Sequence, residues 1–578
     1  MADNSKLFVQ NPVGLDISRS RFDLSHGWSG TMTAGVCVPC LAYSDVLPGD
    51  TFKINAQIVI RSTTPVAPVM DQAYADLYYF FVPHKLVLGR ESMSTATTDG
   101  IHSFEAFIGA QDSLLNMPLP GNQTLPTCGL GAGVTTGFVG SFADYIGINA
   151  YNLSAKITVT PFEALAYAKV WNDYFRDPNT MAPLSYSISG GEIYWYGGTG
   201  SLNGIVDIND TNYKFIQPVC RYHGYFGSAL PWPQRNSTTV TLPLGETAPI
   251  VVNDYVAGNS TGVFGKYNAQ GKWVNIDSSG LEVIQNSSST LGGALALDQG
   301  DNNIVYNPKG SLSADLRNAS AASVNAFRLA VQTQRWYEAI ARSGNRLANL
   351  TQLLGVTPHD VTADTPEYLG GLHIPLSLTQ VANTSGTTYS TSTQQSIGST
   401  GAFSLTSDNS YICTKSFDTW GTVIAIICIR PHESFSQGIH RRFFRNDRLK
   451  YYWPQFANLG EQYIEEREIY ADGSSNDTNV FGYQEAWAEY RFLPDVVTSH
   501  LRPQVSGSLA YWTYCNNFAS APTLQGYLNG DNIKGNFDQT LQVGSSTAGF
   551  QFMVQINHKI DAVRPMPTYS IPGLVDHH

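Results

Sequence analysis

Hydrophobic and polar positions alternate most strictly near the two ends of the chain. Phe52, Ile54, Ala56, Ile58 and Ile60 point one way, with Lys53, Asn55 and Gln57 opposite, the period of two that marks a strand with one face on a core. A turn at Leu47-Pro48-Gly49-Asp50 separates this strand from a preceding strand-like run that starts near Thr31. Pro presets φ there, and Gly tolerates positive φ. Near the far end, Phe550, Phe552, Val554, Ile556 and Ile560 share one face, with Gln551, Gln555, Asn557, Lys559 and Asp561 on the other. Between them, Tyr74–Val82 is aromatic and β-branched enough for a buried strand ending at Pro83. Thr422–Ile429 is almost continuously apolar, as a strand covered on both faces would be.

Two stretches have helical period. Pro161 opens PFEALAYAKVWNDYFRD, in which Leu165, Ala168, Trp171 and Phe175 form a stripe, and Pro178 ends it. Ala321–Ser343 repeats Leu329, Trp336 and Ile340, continuing to Leu347, with Phe327 and Val331 beside them and Gly344 as a stop. Residues 84–160 are mixed and carry the Gly-rich loop Gly129-Leu-Gly131-Ala-Gly133, and residues 376–410 are Ser/Thr-rich and loop-like.

The best strands lie near both ends, several hundred residues apart. A mainly β fold that brings first and last strands together is a double-sheet jelly roll, with the long middle as loop insertions. The expected division is an N-terminal arm (1–30), a first part of the sandwich with a helical insertion (31–183), a β-rich projecting insertion (184–310), and a final part (311–578) of helix, loops and sandwich completion. Block 184–310 is rich in Gly, Asn and Ser and is too long for a plain loop. The alternative for it is a partly disordered excursion.

Charged residues are only 14% of the 578 and aromatic residues 12%. Few charges and many aromatics argue against disorder and suit a surface covered by neighbours. A large β-rich globule would have the same composition. The net charge of −12 excludes a nucleic-acid binder that works by overall charge, so any such contact must be local or aided by a basic partner. The N-terminus has no signal-peptide core, and no apolar run reaches ~18 residues, so neither secretion nor membrane insertion is expected.

Candidate chemistry is sparse. Seven scattered cysteines make no disulfide framework. Cys37-Val-Pro-Cys40 lacks a second CxxC, and within a strand its thiols would project from opposite faces, so buried free thiols are expected, with no metal or cofactor. GxSxG, HExxH and the phosphate-binding GxxxxGK[ST] are absent, and no enzyme activity is expected. One basic cluster stands out: Arg441, Arg442, Arg445, Arg448 and Lys450, interleaved with Phe443, Phe444, Tyr451, Tyr452 and Trp453. Such residues neutralise phosphates and stack on unpaired bases. The alternative is pairing with acids within or between subunits, for instance in Glu465-Glu466-Arg467-Glu468. In the insertion, Tyr194, Trp195 and Tyr196 are candidates for stacking on the sugar rings of a receptor. A carbohydrate-binding or receptor-binding β protein is therefore an alternative reading.

Several long stretches carry a resemblance. RFDLSHGWSGTMTAG (21–35), DVLPGDTF (45–52) and PVMDQAYADLYYFFVPHKLV (68–87) resemble the start of the microvirus (Microviridae) major capsid protein, most closely in its gokushovirus-like branch. YAKVWNDYFRDPN (167–179), the long helix with the following Pro366-Glu-Tyr-Leu-Gly-Gly371, YYWPQFANLGEQ (451–462), VFGYQEAWAEYRFLPD (480–495) and RPMPTYSIPGLVDHH (564–578) continue it. The long helix departs from the family wording at Ala339-Ile-Ala-Arg-Ser-Gly-Asn345. The resemblance implies an eight-stranded viral jelly roll, about sixty copies of which form a T=1 shell around circular single-stranded DNA. It also implies a small basic internal DNA-binding protein as partner, with block 184–310 as the candidate threefold protrusion. The locale implied is the virion, assembled in the bacterial host cytoplasm.

Overall fold

The computed structural model describes residues 18–88, 125–130, 139–149, 151, 154–155, 157–189, 192–196, 205–206, 216–233, 250–252, 264–267, 273–275, 305–306, 312–314, 324–343, 365–382, 400–457, 459–541 and 549–569. The chain divides into two compact units, one made of residues 1–235 with 338–578, the other of 236–337.

The larger unit is an antiparallel β-sandwich. Its strands are β1 (Ser20–Asp23), β2 (His26–Met32), β3 (Val38–Val46), β4 (Thr51–Ser62), β5 (Ala73–Pro83), β6 (Glu367–Pro375), β7 (Thr406–Ser416), β8 (Gly421–Pro431) and β9 (Phe552–Arg564). In one sheet β9 lies between β4 and the two short strands β1 and β2, and β7 borders β4. The other sheet runs β6-β5-β8-β3. The two extremities of the chain do meet: Thr31 pairs with Met553, and Met553 with Arg61. The segment expected to be an arm thus supplies β1 and β2 to the sheet.

The alternation in β4 and β9 gives the reason for the sandwich. Phe52, Ile54, Ala56, Ile58 and Ile60 are all buried, as are Phe552, Val554, Ile556 and Ile560, and they share one core with Leu77, Tyr79, Val423 and Ile427 of the other sheet. Each Val, Leu, Ile or Phe among them contributes roughly 1.5–3 kcal/mol of transfer free energy. His558 is on this buried face too, where the pattern shows only a gap. Its ring nitrogens lie 2.7 Å from the Tyr79 hydroxyl and 3.1 Å from the Cys40 carbonyl. Gln551, expected on the polar face, precedes the strand and is buried. It accepts from the Ala34 amide and donates to the Lys534 carbonyl and to Asp538.

The turn before β4 is built as its residues demand. Gly49 has φ +89°, and the Asp50 amide donates to the Leu47 carbonyl. Asp50 is fully buried and accepts from Arg564 at 3.1 Å, which ties the end of β9 to the turn.

A third layer covers the other face of the four-stranded sheet. Phe162–Val170 is α-helical and Trp171–Phe175 continues it as a π-helix. Leu165, Ala168, Trp171 and Phe175 are buried, but so are Phe162, Ala166, Tyr167 and Val170, so burial is nearly all round rather than a stripe. They pack on Phe80, Val82, Ile424, Ile426 and Cys428. Strand β8 is therefore buried on both faces along its whole length. Cys37 belongs to this outer core and Cys40 to the inter-sheet core, on opposite sides as their spacing implies. All seven cysteines are free.

One expectation needs correction. Residues 378–382 and 400–404 form a hairpin, and β7 follows at 406, where a loop was expected. Their few apolar residues, such as Val381, Phe403 and Ile412, do not alternate, so no period marks them. The long helix spans Val324–Ser343; along its stripe Phe327, Leu329 and Trp336 are exposed, and Val331 and Ile340 are half-buried. Leu347 and Gly344 lie outside the described residues. In the insertion, Glu192–Tyr196 pairs with Ser185–Ser189 and Ile205–Val206. The smaller unit holds short antiparallel pairs, such as Ile250–Val252 with Leu312–Ala314.

Candidate nucleic-acid interface

The basic cluster folds into two 3-10 turns, Arg441–Phe444 and Arg448–Lys450. The His440 ring accepts from the Arg442 amide and starts the first turn, and Asp447 caps the second. Gly438 makes the approach possible, because a Cβ there would lie 2.0 Å from the Glu468 carbonyl oxygen.

The five cations separate into two groups. Arg441 donates to the Tyr463 carbonyl at 2.7 Å and lies 3.6 Å from Glu468, whose side chain is 2% exposed. Burial pushes the Glu468 carboxyl up against the pull of Arg441, and the Tyr225 hydroxyl donates to it at 2.8 Å. Arg445 lies 3.1 Å from Glu489, with both side chains largely buried, and its guanidinium sits 4.0 Å from the centre of the Tyr490 ring. Burial, and then the charges of Arg442 and Arg445, depress the His440 ring below its ordinary value. Arg441 and Arg445 thus anchor the loop, and the pairing with Glu468 is the acid alternative that the sequence offered. Glu489, 44 residues from Arg445, carried no signal in spacing.

Arg442, Arg448 and Lys450 are exposed. Arg442 lies over Phe443 at 4.8 Å, and Lys450 donates to the Asn446 side chain at 2.7 Å. Around them Phe443, Leu449, Tyr451, Tyr452 and Trp453 are all exposed, and Tyr490, Phe492, Leu493 and Val496 are exposed further along the chain. The sequence did not mark this apolar belt as open surface. The structure brings the basic residues together on one loop with aromatics, and that arrangement can receive anions or a partner's surface. It has none of the geometry of a nucleophile beside a base.

A model of the phage capsid protein (F protein) family matches residues 13–574. The chain belongs to that family. It is 33% identical to Capsid protein VP1 of Bdellovibrio phage phiMH2K, over 99% of this chain and 98% of that one. It is 30% identical to Capsid protein VP1 of Spiroplasma virus 4, over 97% and 96% of the two chains. Capsid protein VP1 of Chlamydia phage 1 is also 30% identical, over 96% of each. The protein is a structural capsid protein of phage virions, not an enzyme. Among the described residues no helix is long and apolar enough to cross a membrane, and no group of three or more His, Cys, Asp or Glu could hold a metal.

The family's stretches fall on distinct parts of the fold. DVLPGDTF is the Gly49 turn, and YAKVWNDYFRDPN is the covering helix with its π-turn. The block VFGYQEAWAEYRFLPD carries Glu489, the partner of Arg445. The strand Glu192–Tyr196 is described, with Ile193 buried in the outer core. The side chains of Tyr194, Trp195 and Tyr196 lie outside the described residues.

A buried network absent from the sequence reading pins the four-stranded sheet. Asp76 is 2% exposed and receives Arg430, the Tyr222 hydroxyl at 2.6 Å and His373. The Arg430 guanidinium lies 3.9 Å from the Tyr222 ring centre. It joins β5, β6 and β8 to segment 216–233.

Proposed function

We propose that about sixty copies of this capsid protein close into a T=1 shell around a circular single-stranded DNA genome. The observation that carries this is the strand order. From β2 to β9, consecutive strands alternate between the two sheets except at the adjacent pair β5 and β6, which supports an eight-stranded jelly roll with β1 as an added edge. The exposed apolar residues support assembly, because Leu449, Leu493 and Val496 are 59–69% exposed within one chain, and large apolar side chains left open in this number suit a surface covered by neighbours. Purified protein under assembly conditions gives uniform closed particles by negative-stain microscopy. Monomers under every condition would refute the proposal.

On this reading Arg442, Arg448 and Lys450 touch the genome, while Arg441 and Arg445 hold their loop. Changing the first three to Gln lowers DNA per particle more than particle yield; equal packaging assigns them to subunit contacts. A small basic internal protein shares the neutralisation, a role that the shell protein's net charge of −12 leaves open for it. Block 184–310 is the protrusion that meets a host receptor, through Tyr194, Trp195 and Tyr196. Their combined change to Ala reduces adsorption and leaves particle yield intact; unchanged adsorption rejects that role and, with it, the carbohydrate-binding reading.

A further inference from the structure

Cys37 and Cys428 bring a chemistry into the outer core that a packing role does not use. Both are fully buried, and the Cys428 thiol donates to the Cys37 sulfur across 3.6 Å. Cys37 donates its own thiol to the Pro218 carbonyl at 3.8 Å, so a lone pair of the Cys37 sulfur faces Cys428.

The register explains the approach. Ile426 lies across from Pro39 and Ile427 from Val38, and the same antiparallel count sets Cys428 opposite Cys37. The Cys37 amide turns away from β8 to the Gln217 carbonyl at 2.9 Å, and the Gly35 amide donates to the Ile429 carbonyl of β8 at 3.0 Å. Cys37 and Cys428 thus form a pair of the non-hydrogen-bonded kind, in which Cα atoms stand about 4.5 Å apart and side chains come closest. That separation lies within the window of roughly 4.4–6.8 Å that a disulfide accepts. Cys40 belongs to the inter-sheet core and donates to the Ala425 carbonyl at 3.5 Å, on the other side of the sheet.

The pair also sits where a covalent tie has an effect. Strand β3 is the edge of the four-stranded sheet. Its leading residues hold segment 217–219, through the Cys37 amide and through the Val219 amide, which donates to the Gly35 carbonyl at 3.0 Å. A bond from Cys37 to β8 fastens that edge and the segment with it.

We propose that Cys37 and Cys428 are a dithiol that closes into a cross-strand disulfide when the finished protein leaves a reducing cell and meets peroxide. Thiols stay reduced in a bacterial cytoplasm and pair in an oxidising medium. One cysteine, as its thiolate, attacks a peroxide oxygen and displaces hydroxide, which takes up the thiol proton as water. The other thiol then attacks the resulting sulfenic sulfur and expels a second water. Two thiols and one hydrogen peroxide give one disulfide and two waters. Burial pushes the Cys37 thiol up, so closure is slow at neutral pH and faster in mild alkali. The proposal needs only the fold of one chain and is independent of the shell reading.

The test exposes the full native chain to hydrogen peroxide in mild alkali, followed by denaturation, alkylation and mass spectrometry. The expected result is a fall from seven free thiols to five, the two lost being this pair. The mass drops by about 2 Da, and one peptide pair is joined through Cys37 and Cys428. Amide exchange along β3 slows at least about tenfold, and dithiothreitol reverses it. Cys40→Ala still forms the bond, whereas Cys428→Ala forms none and gains no protection. Seven thiols left after peroxide treatment overturn the proposal. So does a main product with sulfinic acid on either sulfur, a link between two chains, or Cys37 joined to Cys220, the half-buried thiol of the same cluster. The wild-type measurement decides the matter even where a variant fails to fold.

Discussion

The two sheets of the sandwich share one core and meet opposite environments on their outer sides. In β8 every residue is buried: Val423, Ala425 and Ile427 face the other sheet, while Ile424, Ile426 and Cys428 face the covering helix. In β4 the buried positions alternate with exposed or half-buried Lys53, Asn55, Gln57, Val59 and Arg61. Strands of similar length thus carry different sequence constraints. A strand between two layers must be apolar throughout, whereas a strand with one open face keeps alternate positions free for chemistry. In this molecule the sealed sheet supplies rigidity and the open one supplies surface.

The sharpest way to break this comparison is to puncture the sealed side. Trp171 is fully buried, and its indole donates to the Pro218 carbonyl at 2.8 Å. Trp171→Ala costs about 3–5 kcal/mol in chemical denaturation, since it opens a cavity and orphans that carbonyl. Ile426→Ala and Ile427→Ala, on opposite faces of β8, each cost about 2–5 kcal/mol. A loss confined to Ile427 would show that the helix layer contributes little.

A smaller effect comes from pH. Burial depresses His558 to about 3 and His84, stacked on Phe162 at 4.0 Å, to about 4, against an ordinary value of 6.5. Both rings are neutral in the folded chain. Their contribution is complete above pH 6.5 and is lost as pH falls toward those values, because the unfolded chain takes up protons first. Each ring gives a slope of at most about 1.4 kcal/mol per pH unit in that window. Urea midpoints measured from pH 7 to 4.5 have a shallower dependence in His558→Gln. The smallest effect belongs to the open face. Gln57→Thr and Asn409→Thr change stability by no more than about 0.5 kcal/mol, a value that larger losses would contradict.

Much of this contrast was legible in the residues. The alternation from Phe52 to Ile60 named the core face of β4, and the unbroken run from Thr422 to Ile429 named a strand covered twice. Strand β7 was not legible, because TSDNSYICTKS borders the sheet and gives the core only Ile412 and Cys413. The π-turn at Trp171–Phe175 has no periodicity that separates it from the helix before it. In the basic loop, composition marked five cations, but only coordinates divide them, since Arg445 finds Glu489 through folding and not through spacing. The exposure of Leu329 and Trp336 was equally hidden: an apolar stripe predicts a helix face and says nothing about what lies against it.

Strand β9 is interior to its sheet although it comes from the last part of the chain. Until the ribosome has passed residue 564, β1 and β2 have no neighbour and the inner edge of β4 has none either. A chain that stops short of β9 therefore lacks the strand that joins β1 and β2 to β4. Within the sheet, the last strand made is the one that joins the flanks.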